Sequence, residues 1–126
     1  MTAADRRIER TEIEKKVWGR AHHAFNSGVC AVSVLDVKAG HRCSWHEHKH
    51  RINRFIVHSG SIKVSLDFGK EGFVLKAGDV IDVPCGVVHR FEVIEDGVVV
   101  EVYWAPLVSK DDIKRYDAGG TIDGPL

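Results

Sequence analysis

Seven short β-branched runs, each closed by a glycine- or proline-containing turn, constrain this chain more than any other feature. C-A-V-S-V-L-D-V (30–37) ends at A-G, and R-F-I-V-H (54–58) ends at S-G. S-I-K-V-S-L-D-F (61–68) ends at G-K-E-G, F-V-L (73–75) at K-A-G-D, and V-I-D-V-P (80–84) at C-G. R-F-E-V-I (90–94) ends at E-D-G and V-V-V-E-V-Y-W (98–104) at A-P. Strands this short, punctuated this regularly and with no helix-length segment between them, predict a β-sandwich or barrel and exclude an α/β fold.

The flanks are different. Residues 1–28 open on a charged stretch in which Ile8, Ile13 and Val17 fit no clean helical stripe, so they read as an arm or short helix, placed for packing on a partner subunit. Residues 29–108 carry the barrel. Residues 109–126 begin S-K-D-D-I-K-R-Y, with Ser109 as a helix N-cap and Asp111 and Asp112 in the first turn near the positive end of the dipole. A short C-terminal helix followed by a tail, or by a late-docking strand, is the expectation.

Of the 126 residues, 44% are hydrophobic and 29% charged, enough for a folded core. Net charge is zero, which gives no overall pull toward nucleic acid or a membrane surface. No apolar stretch has transmembrane length, and the charged N-terminus does not read as a signal peptide. Three cysteines, Cys30, Cys43 and Cys85, are odd in number and lack C-x-x-C spacing, so a disulfide framework is not expected. The expected location is the cytoplasm.

Chemistry concentrates in two histidine clusters about forty residues apart, G-H-R-C-S-W-H-E-H (40–48) and G-D-V-I-D-V-P-C-G-V-V-H (78–89). Histidines at i and i+2 project from one face of a strand, and a third arriving on another strand completes one side of a metal ion. Imidazole suits zinc, iron, copper and nickel. His46, His48 and His89 are therefore the candidate ligands. His50 continues the same parity as a further ligand or a neighbouring donor, or lies on a loop. Arg42, Lys49, Arg51 and Arg54 surround the first cluster, as a rim for an anionic ligand or a solvated edge.

The spacing of these residues resembles the cupin family, whose motifs run G-x5-H-x-H-x3–4-E-x6-G and G-x5-P-x-G-x2-H-x3-N. Gly40, His46, His48 and Gly60 match the first in register, and Gly78, Pro84, Gly86 and His89 the second. Asn53 stands where the family has its glutamate ligand, and Val93 where it has its terminal asparagine. The resemblance implies an all-β double-stranded β-helix, the jelly-roll barrel, with one divalent transition metal (zinc, iron, manganese or nickel) in its mouth, and a homodimer. K-K-V-W-G (15–19), L-D-V-K-A-G-H-R (35–42), P-C-G-V-V-H-R-F-E (84–92) and S-K-D-D-I-K-R-Y-D (109–117) further resemble segments of the mannose-6-phosphate isomerase-like cupins.

That narrower resemblance implies sugar-phosphate isomerisation on a small anionic or sugar-like substrate. Glu101 is the candidate base, because it interrupts an apolar strand and shares a face with Val99 and Tyr103. The hydrophobic pattern fits equally with Glu101 on the solvent face. Asn53 is placed to ligate the metal, hydrogen-bond its water or stand aside. Arg90 and Tyr103 are candidate substrate contacts, with Arg90 also readable as a surface charge. Two alternatives stand beside isomerisation. Three histidines without a carboxylate resemble the cupin iron dioxygenases, and a barrel of this size also serves as a non-catalytic sugar or effector binder.

Overall fold

The computed structural model describes residues 8–122. Eleven strands follow in chain order: β1 (Glu12–Lys16), β2 (Gly19–Asn26), β3 (Cys30–Val37), β4 (His41–Arg42), β5 (His46–Glu47), β6 (Ile52–Leu66), β7 (Glu71–Lys76), β8 (Val80–Val83), β9 (His89–Trp104), β10 (Lys114–Arg115) and β11 (Gly120–Thr121). The all-β jelly-roll expectation holds.

Two long strands organise the barrel. β6 and β9 pair antiparallel from Ile52↔Trp104 to Leu66↔His89. The runs 54–58 and 61–68, read from sequence as separate strands, are mostly one strand bent at Gly60, and 90–94 and 98–104 are one strand bent at Gly97. Register shifts at Val57/Ser59 and through Ser61 mark the bend. Across it the buried apolar positions of β6 switch from odd (Phe55, Val57) to even (Ile62, Val64). The bend needs both glycines. Gly60 has φ +75°, and a Cβ on it would lie 2.4 Å from the Asp96 carbonyl oxygen; one on Gly97 would lie 1.9 Å from that of Ser59.

The bend divides the barrel into two walls. The second half of β9 lies between β3 and the first half of β6, with β2 and β1 beyond β3 and β8 beyond β6. The first half of β9 lies between β4 and β5 on one side and the second half of β6 on the other, with β7 beyond. Between the walls sit Trp18, Leu35, Val37, Phe55, Val57, Ile62, Val64, Leu75, Val83, Phe91, Val93 and Val99. The Trp18 and Phe91 rings meet edge-on at 5.0 Å. Val93, at the position of the family's asparagine, is fully buried core.

Both flanks differ from expectation. Residues 12–26 are not an arm or helix but the hairpin β1–β2, joined to β3 through seven residues of β2. Residues 1–7 lie outside the described part. The expected C-terminal helix does not form: Ser109–Thr121 is an extended strap carrying β10 and β11. Asp112, one of the two acidic residues read as dipole partners, has other work, as does Asp117 further along the strap. The Asp112 carboxylate accepts backbone N–H groups from Lys49, His50 and Arg51 at 2.7, 3.0 and 3.1 Å. Asp117 accepts from the Trp45 N–H at 2.6 Å and pairs with the buried Arg42 at 3.2 Å. A carboxylate on three backbone donors replaces the bonds a helix would have offered.

Candidate metal centre

β5 and β9 bring the histidines together: His46 is the cross-strand partner of His89, and His48 follows two residues on. The ring centroids lie 4.3 to 5.4 Å apart, and one ligand nitrogen from each falls within 4.8 Å of the others. Every Nδ1–H is engaged by a backbone carbonyl: His46 donates to Ser44 at 2.7 Å, His48 to Asp112 at 2.7 Å, and His89 to Val87 at 2.9 Å. Those bonds fix the tautomer, leaving each Nε2 unprotonated with a lone pair to offer; that of His48 is faced by Arg51 Nη2 and Asn53 Nδ2.

The donor set fits a metal. His89 Nε2 is buried with no hydrogen-bond partner, an orphan that a metal would satisfy. Burial, with the neighbouring imidazoles, pushes the pKa of His46 down to about 3; burial and the Arg51 charge push that of His48 down to about 4. His89 is lowered too, again chiefly by burial. All three are neutral at pH 7, the form that ligates.

Glu101 points inward, which resolves the choice its strand left open. Its Oε2 accepts from Asn53 Nδ2 at 2.8 Å, and burial raises its pKa against the opposing pull of Arg51, His23 and Lys16. A carboxylate oxygen accepts, and the amide nitrogen is the group that faces it here. The same Nδ2 lies 3.4 Å from His48 Nε2, while Oδ1 is buried and unpartnered. In this orientation Asn53 tethers Glu101 beside the histidines and does not present its oxygen to the metal position.

The other candidates separate. Tyr103 and Glu101 line a cavity of about 630 Å³ together with His46. Arg90, one residue from the inward His89, lies on the outer face of β9. Its guanidinium stacks 4.3 Å from the Trp45 ring and donates to Glu92 at 2.9 Å, so strand alternation removes it from the cavity. His50 is exposed on a bend after β5 and does not join the three histidines. Cys43 lines the cavity, but burial pushes its thiol up to about 12, and its sulfur accepts the Phe91 N–H at 3.2 Å. It stands outside the group formed by His46, His48 and His89.

Arg51, read from sequence only as part of a cationic rim, is a cavity residue. Its guanidinium lies 4.3 Å from the Tyr103 ring centroid, with Nη2 3.3 Å from His48 Nε2. The bend at residues 49–50 breaks the alternation that would have pointed it outward. Counted from Asn53 and Phe55 instead of from His46 and His48, Arg51 falls on the inward parity.

Comparison with known proteins agrees with this architecture. Residues 33–106 match the cupin domain family. No curated protein matches the sequence. Among solved structures, KdgF from Halomonas sp. superposes with a TM-score of 0.68 at 17% identity, covering 75% of this chain and 87% of that one. An RmlC-like cupin from Shewanella frigidimarina gives 0.69 at 22% identity, covering 81% and 87%. Oxalate decarboxylase from Bacillus subtilis, a protein with Mn(II) centres, gives 0.70 at 20% identity, covering 84% of this chain but 30% of its own. At these identities the likeness is one of fold. No helix among the described residues is long and apolar enough to cross a membrane.

Proposed function

Because the chain belongs to the cupin family, we propose that it is a metal-dependent enzyme that moves a proton between adjacent carbons of a small hydroxycarbonyl substrate, the chemistry of aldose–ketose isomerisation. The observation that carries this reading is Glu101. It is a carboxylate inside the cavity, raised in pKa by burial and held by Asn53 beside His48. A raised pKa suits a group that must both accept and return a proton near neutrality.

His46, His48 and His89 would hold the metal, and the bound ion would supply a Lewis acid that polarises the substrate oxygen. Asn53 keeps the Glu101 carboxylate turned toward that position. Glu101 takes the proton from the carbon beside the carbonyl and returns it to the former carbonyl carbon, while the hydroxyl proton crosses to the carbonyl oxygen. Tyr103 and the Trp18–Phe91 core beneath the cavity limit water around the reacting carbons.

The test is exchange of substrate C–H with solvent. Metal-loaded protein incubated in D2O with mannose 6-phosphate and other aldose phosphates, and with neutral aldoses, is expected to place deuterium on the carbon beside the carbonyl and to yield ketose. Glu101→Gln should lower that rate at least 100-fold with metal retained. Exchange unchanged in Glu101→Gln would remove Glu101 from the chemistry. A second reading, dioxygenation, is favoured by one observation, a ligand set of imidazoles with no carboxylate. Oxygen consumption by iron-loaded protein with thiols or diketones would support it.

A further inference from the structure

We infer that Arg51 and the three-histidine centre together form a carboxylate subsite, so that the substrate enters as a small hydroxy or oxo acid with its carboxylate held by the guanidinium at the metal position. The inference rests on the metal reading above and adds the substrate class to it.

Arg51 has an edge that no oxygen acceptor fills. Its Nε is buried without a hydrogen-bond partner. Its Nη2 has only the His48 Nε2 contact at 3.3 Å and the ring of Tyr103 beneath. Nε–H and one Nη2–H lie on the same side of a guanidinium and form the fork that grips two oxygens. This chain shows what such an edge takes. Three residues on, Arg54 uses the same two nitrogens to hold both oxygens of Asp82, at 2.7 and 2.9 Å. Arg54 and Asp82 sit on the outer face; Arg51 lines the cavity, and its same two nitrogens hold no carboxylate.

Charge points the same way. Three neutral imidazoles leave a divalent ion at its full charge, and Arg51 adds another positive charge beside it. Arg51 makes no ion pair with any described residue, and the nearby Glu101 is engaged by Asn53. A metal on His48 Nε2 takes the lone pair that Nη2–H now faces. Loading therefore leaves both N–H groups of the edge without an acceptor, an arrangement that costs free energy until an anion fills it. The Tyr103 ring lies against the guanidinium and fixes its plane, so the edge is set to grip two oxygens of one anion.

The experiment is calorimetric titration of zinc-loaded protein, in low-ionic-strength buffer, with glycolate, ethylene glycol and inorganic phosphate, with metal content measured on each sample. Glycolate is expected to bind, and ethylene glycol to bind at least 10-fold more weakly. Arg51→Gln and Arg51→Lys should both weaken glycolate at least 10-fold with metal content unchanged, since lysine keeps the charge and loses the fork. Equal glycolate affinity in Arg51→Gln would overturn the subsite. Full affinity in Arg51→Lys would overturn the fork, and Arg51-dependent phosphate binding tighter than glycolate would overturn the carboxylate assignment. Loss of metal in Arg51→Gln would assign the residue a structural task instead. Proton transfer is read separately by deuterium exchange, so failure of one reading leaves the other standing.

Discussion

The three histidines are neutral in the fold at pH values where they are protonated in the unfolded chain. Their folded pKa values lie below the ordinary 6.5, at about 3 for His46 and about 4 for His48. Between 6.5 and those values the unfolded chain binds more protons, so stability rises with pH there and is lost as pH falls. Metal-free protein is expected to lose thermal stability steadily from pH 6.5 to 4, and His46→Gln to flatten that slope. A melting series across this range checks it; a flat wild-type profile would mean the histidines are not held neutral. Glu101 works in the opposite sense. Its raised pKa means that the fold retains a proton the unfolded chain has released, so stability falls as pH rises above the ordinary 4.5. Glu101→Gln is therefore predicted to melt higher than wild type at pH 7 in the metal-free state. Equal or lower melting would show that the carboxylate is satisfied in place.

Among elements, the strap Ser109–Thr121 is tied most closely to the centre. The Asp112 carbonyl takes the His48 Nδ1–H, and its carboxylate gathers the three N–H groups of the bend that carries Arg51. Tyr116 adds a hydrogen bond from its hydroxyl to Glu47, and its ring meets that of Phe68. Asp112→Ala is expected to cost about 10–100-fold in metal affinity, the range for partners that orient a ligand, with Asp112→Asn between it and wild type. Competition with a chromophoric chelator measures this. Asp112→Ala binding metal as wild type would show that the bend stands without the strap.

For the whole molecule, the eight motif positions made the barrel and the ligand triad legible in the sequence, because glycine turns and strand parity are local. His46 and His89 meet because their strands pair in register, and Gly60 is where the motif requires backbone to approach backbone. What stayed hidden depends on contacts between distant segments. S-K-D-D reads as a helix start because capping is a local signal, yet Asp112 spends its carboxylate on residues 61 to 63 positions away. The sequence left Arg51 in a cationic rim or solvated edge and Glu101 on either face; the bend at 49–50 brings the first to the cavity, and the Asn53 hydrogen bond holds the second there. Arg90, a candidate substrate contact or a surface charge by sequence, follows His89 directly, and alternation sends it to the other face. The framework is thus written in short-range pattern, while the groups that choose a substrate are written in how strap and bend meet.

All of these expectations depend on one centre. Protein stripped with chelator, reloaded with zinc or manganese and dialysed should hold one metal ion per chain by elemental analysis, and His89→Ala should fall to a small fraction of that while remaining folded by circular dichroism. No stoichiometric metal in the wild type, or full occupancy in His89→Ala, would contradict the account.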